Sequence, residues 1–229
     1  MSGKNKLKRF AENETFSHVI QPKFHEVFQT KHSLYGAWNS KFWNNSNPIV
    51  LELGCGKGEY TVNLAKKFPD KNFIGIDIKG ARFWRGAKTA HDEGITNVAF
   101  LRTRVEFLES FFASGEISEI WITFPDPQME KRRTKKRLTS ARFLNMYRAV
   151  LKPGGVIHLK TDSQELHAYT KYIINQNLHK ILVKTTDLYN SNFLDDILSI
   201  QTFYERTYLA QGKPITYIQF ELQGETKEP

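Results

Sequence analysis

The sequence predicts an α/β protein built on a mostly parallel sheet. Short, nearly continuous apolar runs recur along the chain, segments with helical spacing separate them, and the C-terminal part alternates between apolar and polar residues. Apolar strands that alternate with helices typically form a parallel sheet covered on both faces. The chain has 229 residues, which is long enough for one large domain with a substantial core.

Five apolar runs are predicted to form the parallel strands: 49–54, 72–78, 97–103, 119–125 and 155–162. Helices are predicted over 59–68, 80–93, 105–113, 139–151 and 163–178. Residues 202–210 and 215–222 alternate around Gly212-Lys213-Pro214, which predicts a C-terminal antiparallel hairpin. Residues 1–31 are basic with little periodicity, so we expect a mobile N-terminal arm, a single domain over 32–222, and a short polar tail over 223–229.

Composition narrows the class of protein. The chain has 33 Lys+Arg against 24 Asp+Glu, a formal charge of +9 that favours a polyanionic partner such as nucleic acid. No apolar stretch approaches the ~20 residues that span a bilayer, and the N-terminus has no apolar signal region. The single cysteine, Cys55, fits a reducing compartment, and the histidines lack metal-ligand spacing. We therefore expect a cytoplasmic protein without a metal.

A glycine-rich loop, LELGCGKGEY (51–60), follows the first predicted strand and opens a helix. Its glycines, Gly54, Gly56 and Gly58, let the backbone approach a ligand closely. Asp77 closes the second predicted strand, where a carboxylate can accept hydrogen bonds from both hydroxyls of a ribose. Glu52 in the preceding strand disfavours a pyrophosphate and suits a ligand with a cationic amino-acid end. The alternative reading is a tight turn with a surface acid.

A second motif lies at the end of the fourth predicted strand. Asp126 stands between two prolines, which restrict its backbone, and six of the seven residues 131–137 are Lys or Arg. In parallel sheets, ligands bind at the carboxyl ends of strands. The alternative readings are a turn-forming acid followed by a solvated charged loop.

The glycine loop with Asp77 resembles the class I S-adenosylmethionine-dependent methyltransferases. FPDPQ followed by KRRTKKRLT, then LKTD and TFYE, resembles the bacterial tRNA (guanine-N7)-methyltransferase family over roughly residues 45–222. The resemblance implies a Rossmann-like seven-stranded methyltransferase fold, with its last strand antiparallel. It also implies transfer of a methyl group from S-adenosylmethionine to N7 of a guanosine in the tRNA variable loop (position 46), with S-adenosylhomocysteine as product. The expected partner is tRNA, and neither a membrane nor a protein partner is implied.

Guanine N7 has an in-plane lone pair and no proton, so the reaction needs no base. The guanine becomes cationic as the bond forms, and its N1–H and N2–H₂ edge becomes a better donor. A carboxylate on that edge therefore stabilises the transition state more than the ground state. We expect Asp126 to be the catalytic residue and to contact the cofactor as well.

The site residues follow from the motifs and the resemblance together. The cofactor-binding candidates are Glu52, Gly54, Gly56, Gly58, Asp77, Thr103 and Asp126. The substrate-binding candidates are Lys131, Asp162, Thr202 and Glu205. The tRNA phosphate-binding candidates are Arg132, Arg133, Lys135, Lys136 and Arg137.

Some positions depart from the family pattern. The family's lysine four residues past the aspartate is Glu130 here, and Lys131 comes one place later. Thr103 stands nearest to the acid that contacts the adenine in the family, so either Thr103 or the backbone would hold the adenine. Asp162 could also cap the following helix, with Glu165 completing a capping box.

Two other functions stay open on sequence alone. One is another S-adenosylmethionine-dependent methyltransferase, acting on a nucleobase amine, a protein or a small molecule. DNA amine methylators carry an aromatic residue after their D/N-P-P corner, whereas this corner reads Asp126-Pro127-Gln128. The other is a non-catalytic RNA-binding module, which the intact glycine loop and Asp126 disfavour.

Overall fold

The structure is a computed structural model that describes residues 3–228. Residues 1–2 of the predicted arm and residue 229 of the predicted tail lie outside the described residues. The chain divides into two compact units, one up to Ala113 and the other from Ser114 onward. The single domain predicted for 32–222 stays a prediction.

The first unit contains four parallel strands in the order β1-β4-β3-β2. These strands are β1 (Val19–Ile20), β2 (Ile49–Leu53), β3 (Asn72–Ile76) and β4 (Val98–Leu101). Its helices are α1 (Gly3–Asn13), α2 (Glu59–Lys67), α3 (Gly80–Asp92) and α4 (Leu108–Phe111). Short 3₁₀ helices cover Phe24–Glu26 and Val105–Phe107, and a π-helix covers Trp38–Trp43. Every residue of β2, β3 and β4 is buried, which explains their continuous apolar sequences.

The second unit also contains four strands, in the order β5-β6-β8-β7. They are β5 (Ile117–Thr123), β6 (Leu151–Thr161), β7 (Lys180–Thr185) and β8 (Thr216–Glu221). Strands β5 and β6 are parallel, whereas β8 pairs antiparallel with both β6 and β7. The helices are α5 (Ala141–Val150), α6 (Gln164–Gln176) and α7 (Phe203–Ala210), with a 3₁₀ helix over Lys131–Lys136.

The predicted fold class is confirmed, but the strands of the described residues number eight rather than seven. The five predicted parallel strands correspond to β2 to β6, and the last predicted strand is β8. Two strands were not predicted. Strand β1 has only two residues, and β7 is an edge strand whose KILVKT alternates between exposed and half-buried residues. The β-branched residues at alternate positions of KILVKT could have predicted a strand with one face in solvent.

The prediction of a strand at 202–210 is wrong, because Phe203–Ala210 form helix α7. Thr202 and Glu205 make a reciprocal capping box at its start, which stabilises a helix despite the aromatic residues that favour a strand. The antiparallel partners of β8 are β6 and β7 instead.

The N-terminal arm also differs from the sequence prediction, which gave it little regular structure. Helix α1 covers Gly3–Asn13 and packs against α3. The guanidinium of Arg9 lies 4.5 Å from the ring centroid of Trp84, whose indole N–H donates to Glu12 at 2.8 Å. The Asn13 amide donates to the carbonyl of Gly80 at 3.0 Å. The residues that α1 contacts, Trp84 and Gly80, belong to α3, which is far from α1 in sequence. The local sequence of the arm therefore does not predict this packing.

Among residues 3–228, no helix combines the length and the apolar character needed to cross a membrane.

Candidate functional site

The glycine loop takes a left-handed conformation at all three glycines, with φ values of 72° at Gly54, 57° at Gly56 and 73° at Gly58. The loop also leaves no room for a side chain at Gly58, where a Cβ would lie 2.5 Å from Cε1 of Phe100. Glycine is therefore required there for both reasons. The amides of Gly54 and Cys55 both donate to the carbonyl of Ile76, so the loop is fastened to the end of β3.

Asp77 fixes the loop from the end of β3. Its carboxylate accepts from the amide of Gly56 at 3.0 Å through one oxygen and from the amide of Lys79 at 2.7 Å through the other. The side chain is half-buried. The structure thus brings Asp77 to the glycine loop as the sequence predicted, while its contact with a ribose stays a prediction.

Glu52 lies beneath the loop and is only 3% exposed. One of its oxygens accepts from both the amide, at 2.8 Å, and the hydroxyl of Thr61, so Glu52 also anchors the first turns of α2. The pKa of the Cys55 thiol is raised by burial and further by the charges of Glu52 and Asp77. Two carboxylates, Glu52 and Asp77, thus lie against the loop and its following helix, an arrangement that suits a cationic ligand group better than a phosphate.

Thr103 follows β4 and is buried, with 8% of its surface exposed. Its contact with an adenine stays a prediction.

In the second unit, the corner at Asp126 is held in an unusual backbone conformation. Phe124 and Gln128, which flank Pro125-Asp126-Pro127, both have a φ of 48°, a left-handed value that costs energy in residues other than glycine. The Asp126 carboxylate is exposed and accepts from the amide of Gln128 at 3.0 Å. Asp126 is thus an accessible carboxylate on a fixed turn at the end of β5.

The basic run after the corner is a 3₁₀ helix over Lys131–Lys136. Its five cations are exposed: Lys131, Arg132, Arg133, Lys135 and Lys136. Glu130 lies 2.5 Å from Arg132 and 3.7 Å from Arg133, so it offsets part of their charge. The remaining lysines face solvent, where they can contact a phosphate backbone.

Arg137 departs from the prediction, because its side chain is buried and only 5% of the residue is exposed. Its guanidinium donates to the carbonyls of Pro127 and Gln128 and to the carboxylate of Glu165. Because its side chain is buried and its Nε and Nη2 donate to groups inside the protein, Arg137 is not placed to bind a tRNA phosphate.

Asp162 lies at the end of β6 and does not cap α6. The N-cap is Ser163, whose hydroxyl accepts from the amide of Leu166 at 3.1 Å, so the predicted capping box with Glu165 is wrong. Burial raises the pKa of Asp162, an effect that a backbone hydrogen bond and the charge of Lys213 oppose. Asp162 therefore has no capping role and stays a candidate for substrate contact.

Helix α7 supplies residues near Asp162 that sequence reasoning missed. The pKa of the Tyr208 phenol is raised by burial and by the negative charge of Asp162. The Tyr208 ring lies 6.0 Å from the Phe124 ring of the Asp126 corner, and the ammonium of Lys213 lies 5.0 Å from the Tyr208 ring centroid. The capping box at Thr202 was the signal that could have identified this helix.

Thr202 and Glu205 themselves are buried, contrary to the substrate contact expected of them. Thr202 is 9% exposed and Glu205 is fully buried. The Thr202 hydroxyl accepts from the amide of Glu205, and Glu205 forms an ion pair with Lys160 at 2.7 Å. Both side chains are engaged in holding α7 in place.

Within the described part of the chain, no group of three or more His, Cys, Asp or Glu side chains is arranged to hold a metal ion.

Comparison of the sequence with known proteins identifies the family of this chain. A family model described as "Putative methyltransferase" matches residues 46–218. A tRNA (guanine-N(7)-)-methyltransferase of Christiangramia forsetii is 57% identical over 97% of this chain and 100% of its own length. A protein of the same name from Bacteroides thetaiotaomicron is 52% identical over 99% of this chain and 90% of its own.

Solved structures support the fold. The 16S rRNA methyltransferase KamB aligns with a TM-score of 0.65 at 15% identity, over 86% of this chain and 98% of its own. The 16S rRNA (adenine(1408)-N(1))-methyltransferase from Catenulisporales acidiphilia gives a TM-score of 0.57 at 15% identity, over 83% of this chain and 92% of its own. At such identities the likeness concerns the fold alone. Since the family model covers most of the chain and the relatives match nearly all of it, this protein belongs to the methyltransferase family whose members include these tRNA (guanine-N(7)-)-methyltransferases.

Proposed function

We propose that this protein transfers a methyl group from S-adenosylmethionine to N7 of a guanosine in the variable loop of tRNA, at position 46, in the cytoplasm. The observation that carries the proposal is the corner at Asp126. It presents an exposed carboxylate on a fixed turn directly before a helix of five exposed cations. The relatives named tRNA (guanine-N(7)-)-methyltransferase, at 57% and 52% identity, support guanine N7 of tRNA as the substrate.

The residues of the glycine loop fit S-adenosylmethionine. The left-handed glycines bring the backbone close to a ligand, Asp77 offers a half-buried carboxylate for the ribose hydroxyls, and Glu52 keeps the surroundings negative. Thr103 or nearby backbone would hold the adenine. When bound, the cofactor supplies a methyl group on a positively charged sulfonium, and its sulfur leaves as the neutral thioether of S-adenosylhomocysteine.

Asp126 accepts hydrogen bonds from the N1–H and N2–H₂ edge of the guanine in this proposal. It abstracts no proton, because N7 carries none. Its negative charge stabilises the guanine as the ring becomes cationic, and its fixed position removes the cost of reorganising the site. Asp162 is the second acidic candidate for the substrate.

The exposed cations Lys131, Arg132, Arg133, Lys135 and Lys136 hold the tRNA backbone. Such contacts are independent of sequence and weaken as salt rises. The phosphate contacts position the tRNA so that the target guanine reaches the site, and the Asp126 carboxylate recognises that guanine through its N1–H and N2–H₂ edge.

The test is labelled-methyl transfer to bulk tRNA, followed by mapping of the modified base. We expect 7-methylguanosine at position 46. The Asp126→Asn variant keeps the shape of the side chain but removes its charge, so single turnover at saturating cofactor and tRNA should fall by about 10²–10³-fold. The tRNA affinity should change little, because phosphate contacts carry it.

Asp70→Asn is the matched control, since Asp70 is exposed and lies in neither motif. It should leave turnover unchanged. A wild-type single-turnover rate in Asp126→Asn would reduce Asp126 to a turn residue and overturn the mechanism. Methylation of another base or of an exocyclic amine would overturn the proposed substrate.

A further inference from the structure

The side chain of Arg137 is directed into the protein, whereas the other five cations of the basic run are exposed. Its Nε donates to the carbonyl of Pro127 at 3.0 Å, and its Nη2 donates to the carbonyl of Gln128 at 3.3 Å. The same Nη2 lies 2.5 Å from a carboxylate oxygen of Glu165. The guanidinium carbon also lies 4.5 Å from the ring centroid of Tyr169 in α6.

These contacts converge on the two residues that follow Asp126. Gln128 has a left-handed φ of 48°, and residues other than glycine keep such a conformation only where their surroundings hold it. The amide of Gln128 is the group that donates to the Asp126 carboxylate at 3.0 Å. A continuous set of hydrogen bonds therefore runs from Arg137 through Gln128 to Asp126.

We propose that Arg137 is a positioning residue that fixes the Asp126 carboxylate by holding the carbonyls of Pro127 and Gln128. Glu165 and Tyr169 hold the guanidinium in turn. The expected effect of Arg137 on the methylation rate rests on the function proposed above for Asp126. The hydrogen bonds that link Arg137 to the corner do not depend on that function.

The chemistry of the side chain accounts for arginine at this position. A planar guanidinium carries several donors in a fixed arrangement, so it can bridge two carbonyls and a carboxylate at once while stacking on an aromatic ring. The ammonium of a lysine carries the same charge as a single point on a flexible stem. The substitution Arg137→Lys therefore separates the two roles, because a phosphate contact needs the charge and a bridge needs the shape.

The experiment compares Arg137→Lys with Lys135→Gln, which removes an exposed cation from the same run. For Arg137→Lys we expect the single-turnover rate at saturating tRNA and cofactor to fall by up to about 10²-fold, since the carboxylate loses its fixed orientation. The dependence of tRNA affinity on salt should match wild type. For Lys135→Gln we expect weaker tRNA binding and a salt slope flatter by about 0.7–0.9, with hydrogen–deuterium exchange at the Asp126 corner as in wild type.

A second readout needs neither tRNA nor activity. Hydrogen–deuterium exchange of residues 124–130 in the free protein should be faster in Arg137→Lys than in wild type, with the rest of the chain unchanged. Should wild type methylate no tRNA, the proposed function fails, yet this exchange still tests the link between Arg137 and the corner. Glu165→Gln, at an exposed position, should give a smaller effect in the same direction and serves if Arg137→Lys does not fold.

Unchanged exchange over 124–130 together with a wild-type saturated rate in Arg137→Lys would overturn the proposal. A third variant, Arg137→Gln, removes the charge as well as the shape. A salt slope flattened to the extent seen in Lys135→Gln, with unchanged exchange over 124–130, would make Arg137 a phosphate contact and overturn the proposal.

Discussion

The ammonium of Lys160 lies 2.7 Å from a carboxylate oxygen of Glu205, and neither side chain has any exposed area. Lys160 also donates to the carbonyls of Leu198 and Ile200, and the hydroxyl of Tyr189 donates to Glu205. The pair thus joins β6 to α7 and to the segment that precedes it. Burial lowers the pKa of Lys160, and the charge of Glu205 opposes that shift.

We predict that Glu205→Gln lowers the free energy of unfolding by about 3–5 kcal/mol, because it leaves the Lys160 charge buried without its ionic partner. Urea denaturation monitored by circular dichroism measures the change. Glu221→Gln is the control: it breaks an exposed pair with Lys180 at 3.5 Å, for which we expect about 0–1 kcal/mol. A stable Glu205→Gln variant with weakened tRNA binding would restore the substrate role expected from the sequence.

Gly58→Ala should destabilise the protein more than Gly94→Ala does. Both glycines are left-handed, at 73° and 65°, so both variants incur backbone strain of about 1–2 kcal/mol. Only at Gly58 does the added Cβ meet Phe100, at 2.5 Å, whereas nothing lies within 4 Å at Gly94. Overpacking adds about 1–3 kcal/mol at Gly58 alone. Equal shifts of the urea midpoint in the two variants would contradict this.

Asp77→Ala should weaken the binding of S-adenosylmethionine by about 1.5–3 kcal/mol, because a charged acceptor for the ribose is lost. Loss of the bond to the Gly56 amide would also loosen the loop. Isothermal titration calorimetry without tRNA measures the affinity. Asp92→Ala, which removes an exposed carboxylate paired with Lys88, is the control and should bind normally. Unaltered affinity in Asp77→Ala would remove this residue from the cofactor site.

Replacing Lys135 and Lys136 by glutamine should flatten the plot of log tRNA affinity against log salt. Each lost phosphate contact reduces the slope by about 0.7–0.9, because fewer counterions are released on binding. Lys152→Gln serves as the control, since Lys152 is exposed but lies outside the basic run. An unchanged slope in the double variant would mean that these lysines contact only solvent.

The free energy of unfolding of Asp162→Asn should increase relative to that of wild type as the pH rises from 4 to 8. The folded protein raises the pKa of Asp162 through burial, so it binds the proton more tightly than the unfolded chain does. The wild type therefore loses stability as pH rises through the folded pKa, and the asparagine variant does not. Urea midpoints across the pH range measure the difference. A difference independent of pH would contradict the burial effect.

Much of the site could be predicted from local sequence because its backbone requirements are local. Left-handed turns need glycines, so Gly54, Gly56 and Gly58 marked the loop, and prolines marked the corner at Asp126. Continuous apolar runs marked the buried parallel strands. The errors came where two local signals competed, as at 202–210, where aromatic residues favoured a strand while Thr202 and Glu205 capped a helix.

The sequence by itself determined the order of the five parallel strands β2 to β6 along the chain, the glycine loop, the corner at Asp126 and the family. Only the tertiary structure decided which charged side chains face solvent. Arg137 belongs to a run of cations, yet its partner Glu165 lies 28 residues away, and Glu205 of α7 is paired with Lys160 of β6. A side chain's role depends on its burial and its partners, and both are set by residues that are distant in sequence and meet only when the chain folds.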